Sequence, residues 1–232
     1  MSQSLPKNVH CSTHPCLQAK LSQLRGASTN ARETKALVHE IALIIGCEAL
    51  GAGLSATAGS TSKTPLGYDF TTTEILPSTI SIVPILRSGL GMLDAVQTLL
   101  PNPVPVHHLG LFREPTTLEP VEYYNNLPHH RVATSTSTSN SGASDLAILL
   151  DPVIATGGTC AAAIQTLKEW GVKRVIVIAI LGAVPGLERA AGEWPEGVEI
   201  WVAGVDKAIN DRGMIQPGLG DVGDRLFLTI GK

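Results

Sequence analysis

The chain has 232 residues, of which 44% are hydrophobic, 16% are charged and 23 are glycine, and its formal net charge is −3. This composition excludes an intrinsically disordered chain, which needs low hydrophobicity and high net charge, and a coiled coil, which needs abundant Glu and Lys. The longest apolar run, residues 175–184, is about half of the ~20 residues that cross a bilayer. The small negative charge indicates no basic surface for nucleic acid. We expect one domain over residues 1–232, with neither a membrane nor a nucleic acid as partner.

The N-terminal segment is predicted to be neither a secretory signal nor a metal site. Residues 1–20 lack the apolar stretch of a secretory signal, and four cysteines do not make a disulfide framework, so we expect a cytoplasmic protein. His10, Cys11, His14 and Cys16 have the composition of a metal site, but their spacing is not that of paired ligands. A surface or structural role is therefore favoured over a metal site.

The predicted elements alternate between helices and strands. Apolar residues at helical spacing predict a helix over 39–50 that begins near Arg32. Residues 51–65, rich in Gly, Ser, Thr and Ala without periodicity, are predicted to be a loop or the base of an arm. Strands are predicted at 80–86, 106–112, 146–150, 174–182 and 198–205. Further helices are predicted at 92–100 and 187–194, and another follows the loop at 151–159 and ends near Trp170. This alternation is typical of an α/β fold with a parallel sheet and helices on both faces.

Two segments interrupt the alternation. Residues 112–128 are polar, aromatic and rich in proline, and an excursion of this length between two strands is typical of a functional loop or lid. Residues 133–144 (ATSTSTSNSGAS) have low complexity, which predicts a solvated, flexible insert without chemistry.

A glycine pattern near the C-terminus imitates a dinucleotide fingerprint. Residues 218–223 (GLGDVG) fit G-x-G-x-x-G, which requires a preceding strand and a following helix within a βαβ unit. Pro217 precedes the pattern and only nine residues follow it. A Rossmann cofactor site is therefore not predicted.

The segment 151–159 (DPVIATGGT) is more specific. An apolar strand leads to Asp151 at its carboxyl end, where α/β sheets hold ligands. Thr156, Gly157, Gly158 and Thr159 then lead into a helix, whose first N–H groups favour a phosphate. No lysine follows the glycines, so this is not a nucleoside triphosphate loop. The pattern favours a sugar phosphate over an ordinary tight turn, with the phosphate in the loop and the ribose hydroxyls on the carboxylate.

These residues carry a resemblance to a known family. Residues 149–159 (LLDPVIATGGT) resemble the phosphoribosyl diphosphate (PRPP) motif of type I phosphoribosyltransferases, and Pro152, in place of a second acid, resembles the uracil phosphoribosyltransferases. Other segments resemble further blocks of that family in the same order: His14-Pro15, Leu24-Arg25, 83–96 (VPILRSGLGMLDAV), Phe112-Arg113 with 118–124 (LEPVEYY), and 217–227 (PGLGDVGDRLF).

The resemblance implies the fold of type I phosphoribosyltransferases and a role for each matching residue. Arg87 and Arg113 would hold the diphosphate, as bidentate guanidinium donors do, although a surface ion pair is the commoner role of an arginine. The ribose and 5-phosphate of PRPP would bind to Asp151, Pro152, Val153, Ile154, Ala155, Thr156, Gly157, Gly158 and Thr159. Uracil would bind to Gln216, Gly220, Asp221 and Val222, with Asp221 also near PRPP, in part through Mg²⁺. Asp151, Arg87 and Arg113 are the catalytic candidates.

The implied reaction joins uracil to PRPP and gives uridine 5′-monophosphate (UMP) and diphosphate. The implied cofactor is Mg²⁺, held mainly by PRPP rather than by protein ligands, and the implied assembly is a homodimer or larger homo-oligomer with GTP as an effector. Tyr123 and Tyr124 would exclude water from the site, or pack against the body or a second subunit. Two residues depart from the family: Gln216, where an aliphatic residue is usual, and Lys207, where the usual pattern is acidic.

Two other functions remain open. The same scaffold supports a regulatory protein that binds PRPP or UMP without catalysis, since fold alone does not establish function. It also supports a phosphoribosyltransferase for another base.

Overall fold

The computed structural model describes residues 4–114, 117, 119–128 and 142–229. The predicted insert at 133–144 lies outside these residues apart from 142–144. The helices are α1 (Pro15–Arg25), α2 (Ala31–Gly53), α3 (Leu90–Leu99), α4 (Gly158–Trp170), α5 (Val184–Glu193) and α6 (Val222–Phe227). The strands are β1 (Val9–Cys11), β2 (Ser55–Lys63), β3 (Asp69–Leu76), β4 (Ile80–Leu86), β5 (Leu109–Arg113), β6 (Pro120–Asn125), β7 (Leu146–Leu150), β8 (Val153–Ile154), β9 (Arg174–Ala183), β10 (Val198–Asp206), β11 (Ala208–Ile209) and β12 (Ile215–Gln216).

The main sheet has eight strands in the order β1-β10-β9-β7-β4-β5-β6, with β8 also paired to β9. Its pairs are parallel except for the antiparallel β5–β6 pair at one edge. Because the parallel strands point the same way, their carboxyl ends meet at one edge of the sheet, where ligands bind in open α/β folds. The predicted α/β class with a mainly parallel sheet is confirmed.

Helices cover both faces of the sheet, and alternate residues of one strand belong to two different cores. Leu146, Ile148 and Leu150 of β7 pack in the core that contains α1, α2 and α3. Ala147 and Leu149 of the same strand pack in the core that contains α4 and α5. Since strand side chains alternate between faces, a strand buried on both faces is continuously apolar.

Residues 51–65 were predicted to be a loop or the base of an arm, and the loop alternative is wrong. Helix α2 continues to Gly53, and Ser55–Lys63 is strand β2, which pairs with β3 in a separate antiparallel hairpin. The hairpin is exposed along most of its length. Because neither of its faces is buried, its sequence shows no alternation of apolar and polar residues, which is the pattern that identifies a strand.

Helix α2 is the one helix in the described part of the chain whose length and apolar composition would suffice to cross a membrane. In this fold it is a core helix, whose buried side chains, Ile41 and Ile45 among them, pack on α3 and the sheet.

The excursion at 112–128 is largely regular structure. Its two sides are the end of β5 and the edge strand β6, which pair antiparallel. The side chains of Phe112, Tyr123 and Tyr124 are exposed on this hairpin, and the rings of the first two lie 6.0 Å apart.

The four N-terminal His and Cys residues do not come together as a metal site, and among the described residues no group of three His, Cys, Asp or Glu could hold an ion. Instead, Nε2 of His10 lies 2.5 Å from a carboxylate oxygen of Glu199, and its ring stacks on Trp201 with centroids 4.4 Å apart. Cys11 and Cys16 are exposed free thiols.

Candidate active site

A cavity of about 350 Å³ opens at the carboxyl-end edge of the sheet. The loop between β7 and α4 forms one wall, and the segment from the β11–β12 turn to the start of α6 forms the other. Its lining consists of Ser88, Arg113, Asp151, Val153, Ile154, Ala155, Thr156, Gly157, Thr159, Cys160, Leu181, Gly213, Met214, Ile215, Pro217, Leu219, Gly220, Asp221, Val222 and Gly223.

The loop before α4 has the geometry of an anion site. Gly157 is the residue that precedes the helix, and its φ of 77° lies in the left-handed region that favours glycine. A Cβ there would lie 2.2 Å from the carbonyl oxygen of Gly186, so no larger residue fits. Because glycine has no side chain to cap the helix, no side chain satisfies the first N–H groups of α4, which is the arrangement that suits an anion. The side chain of Thr159 belongs to the same wall.

Asp151 lies at the end of β7 and its carboxyl group is buried on the cavity wall. Burial disfavours the charged form and raises the pKa of Asp151 to about 7, although a hydrogen bond from the backbone N–H of Val153 acts in the opposite direction. The group is therefore poised to ionise near neutral pH. Burial, together with the charge of Asp151, also raises the pKa of the neighbouring Cys160 thiol, which stays neutral.

Arg113 is the last residue of β5, and its guanidinium group lines the cavity and contacts the β11–β12 turn. Nη1 donates to the carbonyl oxygen of Gly213 at 2.7 Å, and Nη2 donates to that of Arg212 at 3.3 Å. A guanidinium has five N–H donors in a planar fork, so these two bonds orient the group without using all of it. The remaining donors suit an anion such as a diphosphate.

Arg87 follows β4, and it is not part of the cavity lining. Its Nη1 donates to Oγ1 of Thr229 at 3.1 Å, and its Nη2 lies 3.6 Å from a carboxylate oxygen of Asp224. About half of the side chain is exposed. The loop that carries it passes close to β7, since a Cβ on Gly89 would lie 2.6 Å from the carbonyl oxygen of Leu150. Ser88, next to Arg87, does line the cavity.

The loop at 216–221 supplies a further part of the cavity lining. It begins with a cis peptide bond between Gln216 and Pro217 and ends at Asp221, whose side chain accepts a hydrogen bond of 3.0 Å from the N–H of Asp224. Gly220, Asp221 and Val222 line the cavity. Gln216 is exposed and does not, so Pro217 rather than glutamine faces a ligand there.

Comparison with known proteins identifies the family. Residues 11–229 match the family model described as uracil phosphoribosyltransferase. The chain belongs to the uracil phosphoribosyltransferase family.

Individual relatives agree with this assignment. A uracil phosphoribosyltransferase of Roseiflexus castenholzii is 41% identical over 225 residues, which cover 96% of this chain and 99% of that protein. The solved structure of the AQ2163 protein from Aquifex aeolicus superposes with a TM-score of 0.83 at 30% identity, covering 97% of this chain and 100% of that one. An adenine phosphoribosyltransferase of Trypanosoma brucei, at 18% identity and a TM-score of 0.52 over 95% of this chain and 92% of that one, shows the shared type I phosphoribosyltransferase fold.

Most of the candidate site residues of this uracil phosphoribosyltransferase family member line one cavity. Arg87, Pro152, Gly158 and Gln216 do not. The cavity also contains residues that the sequence did not assign to the site. Three of them, Pro217, Leu219 and Gly223, lie inside the 217–227 block, and the others lie outside every matched segment. Those outside the matched segments are Cys160, Leu181, Gly213, Met214 and Ile215.

Proposed function

We propose that the chain transfers the phosphoribosyl group of PRPP to uracil, giving UMP and diphosphate. One observation carries the proposal: the anion loop at Gly157, the carboxyl group of Asp151, the guanidinium of Arg113 and the loop at Gly220–Val222 surround a single cavity. The relatives named uracil phosphoribosyltransferase, which match nearly the full chain, support the choice of base.

The 5-phosphate of PRPP would bind at the start of α4, where N–H groups and the hydroxyls of Thr156 and Thr159 supply donors. This position brings the ribose hydroxyls to Asp151. As the bond to diphosphate breaks, the ribose gains positive charge, and an ionised carboxylate on the cavity wall stabilises that charge. Contact with the ribose hydroxyls and with the developing cation favours ionisation of a group whose pKa burial has raised to about 7.

The departing diphosphate would be held by guanidinium groups. Arg113 lines the cavity and is already oriented by two carbonyl groups. Arg87 would contribute after exchanging its contacts with Thr229 and Asp224 for contacts with the ligand, which is feasible because the side chain is about half exposed. Tyr123 and Tyr124, on the exposed hairpin next to Arg113, would then shield the site from water.

Mg²⁺ fits the donors of this cavity. Asp221 is an exposed carboxylate on its wall, and hard oxygen ligands of this kind bind Mg²⁺ directly or through water. The remaining ligands would be oxygens of PRPP. When bound, the ion neutralises charge on the diphosphate leaving group.

Uracil would be recognised by the loop at 216–222. Backbone N–H and C=O groups of Gly220 and Val222 suit the polar edge of a pyrimidine, and the Gln216–Pro217 peptide would close the pocket. Since the side chain of Gln216 is exposed, a contact through its backbone carbonyl tolerates the departure from an aliphatic residue.

Three further expectations belong to the proposal. All four cysteines are free, which supports a reducing compartment such as the cytoplasm. The β2–β3 hairpin exposes Leu66, Tyr68 and Phe70, which supports a homo-oligomer. GTP as an effector rests on the family alone.

The test is an assay of the purified chain with PRPP, Mg²⁺ and each of uracil, cytosine, orotate and hypoxanthine. We expect diphosphate release and nucleotide formation with uracil only. Product with another base and none with uracil would show that the substrate is that base rather than uracil. Tight binding of PRPP or UMP with no product from any base would favour the regulatory protein.

A further inference from the structure

An ion pair outside the cavity contacts the loop at 216–221, which the proposed function assigns to the base. Arg25 is the last residue of α1 and Asp206 is the last residue of β10. Nη1 of Arg25 donates to Oδ2 of Asp206 and Nη2 donates to Oδ1, both at 2.8 Å. The Asp206 side chain is 8% exposed and that of Arg25 is 25% exposed. This is a bidentate pair, the geometry in which arginine and carboxylate fix each other's orientation.

The same pair binds both backbone groups of Gly218. The carbonyl oxygen of Gly218 accepts a 2.7 Å hydrogen bond from Nη1 of Arg25, and its N–H donates to Oδ2 of Asp206 at 3.0 Å. Gly218 has a φ of 67°, and a Cβ there would lie 2.3 Å from the carbonyl oxygen of Ile215. The residue is thus held in a left-handed turn by two charged groups as well as by its surroundings.

A second arginine holds the next residue of the loop. Nη1 of Arg225, on α6, donates to the carbonyl oxygen of Leu219 at 2.7 Å and to that of Leu24 at 2.6 Å. Leu24 is the neighbour of Arg25, so both arginines connect the end of α1 to the same loop. Removal from water lowers the pKa of Arg225, so the guanidinium is partly buried where it holds the loop.

Neither Arg25 nor Asp206 lines the cavity, yet the residues on both sides of Gly218, Pro217 and Leu219, do. We propose that Arg25 and Asp206 are positioning residues for base binding, which set the conformation of the 216–221 loop through Gly218. They would determine affinity for the base and leave the phosphate loop at 151–159 unchanged. The inference rests on the proposed function, because it assumes that this loop receives the base.

The informative change is Arg25→Lys, which keeps the charge. An ammonium group is a point charge and cannot span both oxygens of Asp206 and the Gly218 carbonyl at once. Asp206→Asn is the reciprocal change, since its amide presents N–H donors to a guanidinium that itself only donates. Lys20→Gln is the matched control: it breaks the 2.6 Å pair between Lys20 of α1 and Glu40 of α2, on the same helix but away from the loop.

The experiment compares the affinities of UMP and ribose 5-phosphate by calorimetry, because both present the same ribose 5-phosphate group and only UMP carries the base, in place of the C1 hydroxyl. We expect Arg25→Lys to weaken the binding of UMP about tenfold or more, as loss of a charge-assisted hydrogen bond predicts. The affinity for ribose 5-phosphate should not change. The KM for uracil should rise in parallel while the KM for PRPP stays constant. Lys20→Gln should change the affinity for neither ligand.

Equal weakening of both ligands, or no change in either, overturns the inference, since it shows a general structural role or none. Wild-type protein that binds UMP no more tightly than ribose 5-phosphate overturns the assignment of the base site and the inference with it. Wild-type preference for UMP that survives both substitutions leaves the proposed function intact and rejects the positioning role alone.

Discussion

The Nη1 atom of Arg113 donates a 2.7 Å hydrogen bond to the carbonyl oxygen of Gly213, a residue 100 positions later in the chain. A Cβ on Gly213 would lie 2.5 Å from that nitrogen, so the guanidinium occupies the space that a side chain would take. The contact joins the edge hairpin of β5 and β6 to the β11–β12 turn. It places a cation over the cavity before any ligand arrives, which lowers the reorganisation needed when charge develops.

Arg113→Ala should reduce kcat/KM for PRPP by a factor of about 100 or more, as the loss of one preorganised donor does in other enzymes. Lys63→Gln removes a cation from the exposed pair with Asp69 on the β2–β3 hairpin and serves as the control. Steady-state kinetics at saturating uracil measures the effect. An Arg113→Ala enzyme with more than a tenth of wild-type kcat/KM would contradict the assigned role.

Asp151→Asn should lower turnover far more than PRPP binding, because the carboxylate acts on charge that appears only as the ribose bond breaks. We expect kcat to fall about 100-fold, the typical cost of losing one electrostatic stabiliser, with the Kd of PRPP within a few-fold. Asp145→Asn, one residue before the other end of β7, is the control and should keep full turnover. A proportional loss of binding and turnover would instead indicate a role in PRPP binding alone.

The same substitution should change how stability depends on pH. Burial raises the folded-state pKa of Asp151 from 3.8 to about 7, so between these values the folded protein holds a proton that the unfolded chain has released. The stability contributed by this proton is complete below the unfolded pKa and is lost as pH rises through about 7. The loss amounts to roughly 4 kcal/mol at most, at 1.36 kcal/mol per pKa unit.

Asp151→Asn lacks this titration, so its free energy of unfolding relative to wild type should rise between pH 4 and pH 8. Urea unfolding at several pH values measures the difference. Asp145 provides a contrast of opposite sign: its contacts with Lys173 and Thr79 lower its pKa, so its contribution is lost as pH falls. Parallel stability curves for wild type and Asp151→Asn would mean that the carboxyl group titrates normally.

Gly157→Ala should abolish binding of ribose 5-phosphate. A left-handed conformation costs an L-residue about 1–2 kcal/mol, and the new Cβ would overlap the Gly186 carbonyl, which forces the loop to move. Gly192→Ala in α5 is the matched control, because a Cβ there meets nothing within 4 Å. Thermal unfolding and calorimetry should show a stable, fully binding control. Normal phosphate binding by Gly157→Ala would show that the loop is not the anion site.

The phosphate loop was predictable because its parts are contiguous. Asp151 through Thr159 occupy nine successive positions between a buried strand and a helix, so a local pattern contains both the carboxylate and the donors. Strand β2 was not predictable in the same way, since it is exposed on both faces and lacks the alternation that burial imposes.

The two walls of the cavity come from distant parts of the chain. Only the resemblance to a known family indicated that Arg113 and the 217–227 block belong to one site. No local sequence rule connects residues about 100 positions apart. The position of Arg87 was the least predictable: it is bonded to Asp224 and Thr229 rather than to the cavity. Several polar side chains at the surface compete for an exposed arginine such as Arg87. The sequence does not show which of them it contacts.

By itself, the sequence determined the α/β architecture, the strand that ends at Asp151 and the glycines at the start of α4, because periodicity, β-branching and glycine geometry act between near neighbours. Tertiary structure alone decided three features: the burial that raises the pKa of Asp151, the carbonyl groups that orient Arg113, and the hydrogen bonds of Arg25 and Asp206 to Gly218. Burial and hydrogen bonding between residues 100 to 193 positions apart depend on how the elements pack, and packing is a property of the whole fold.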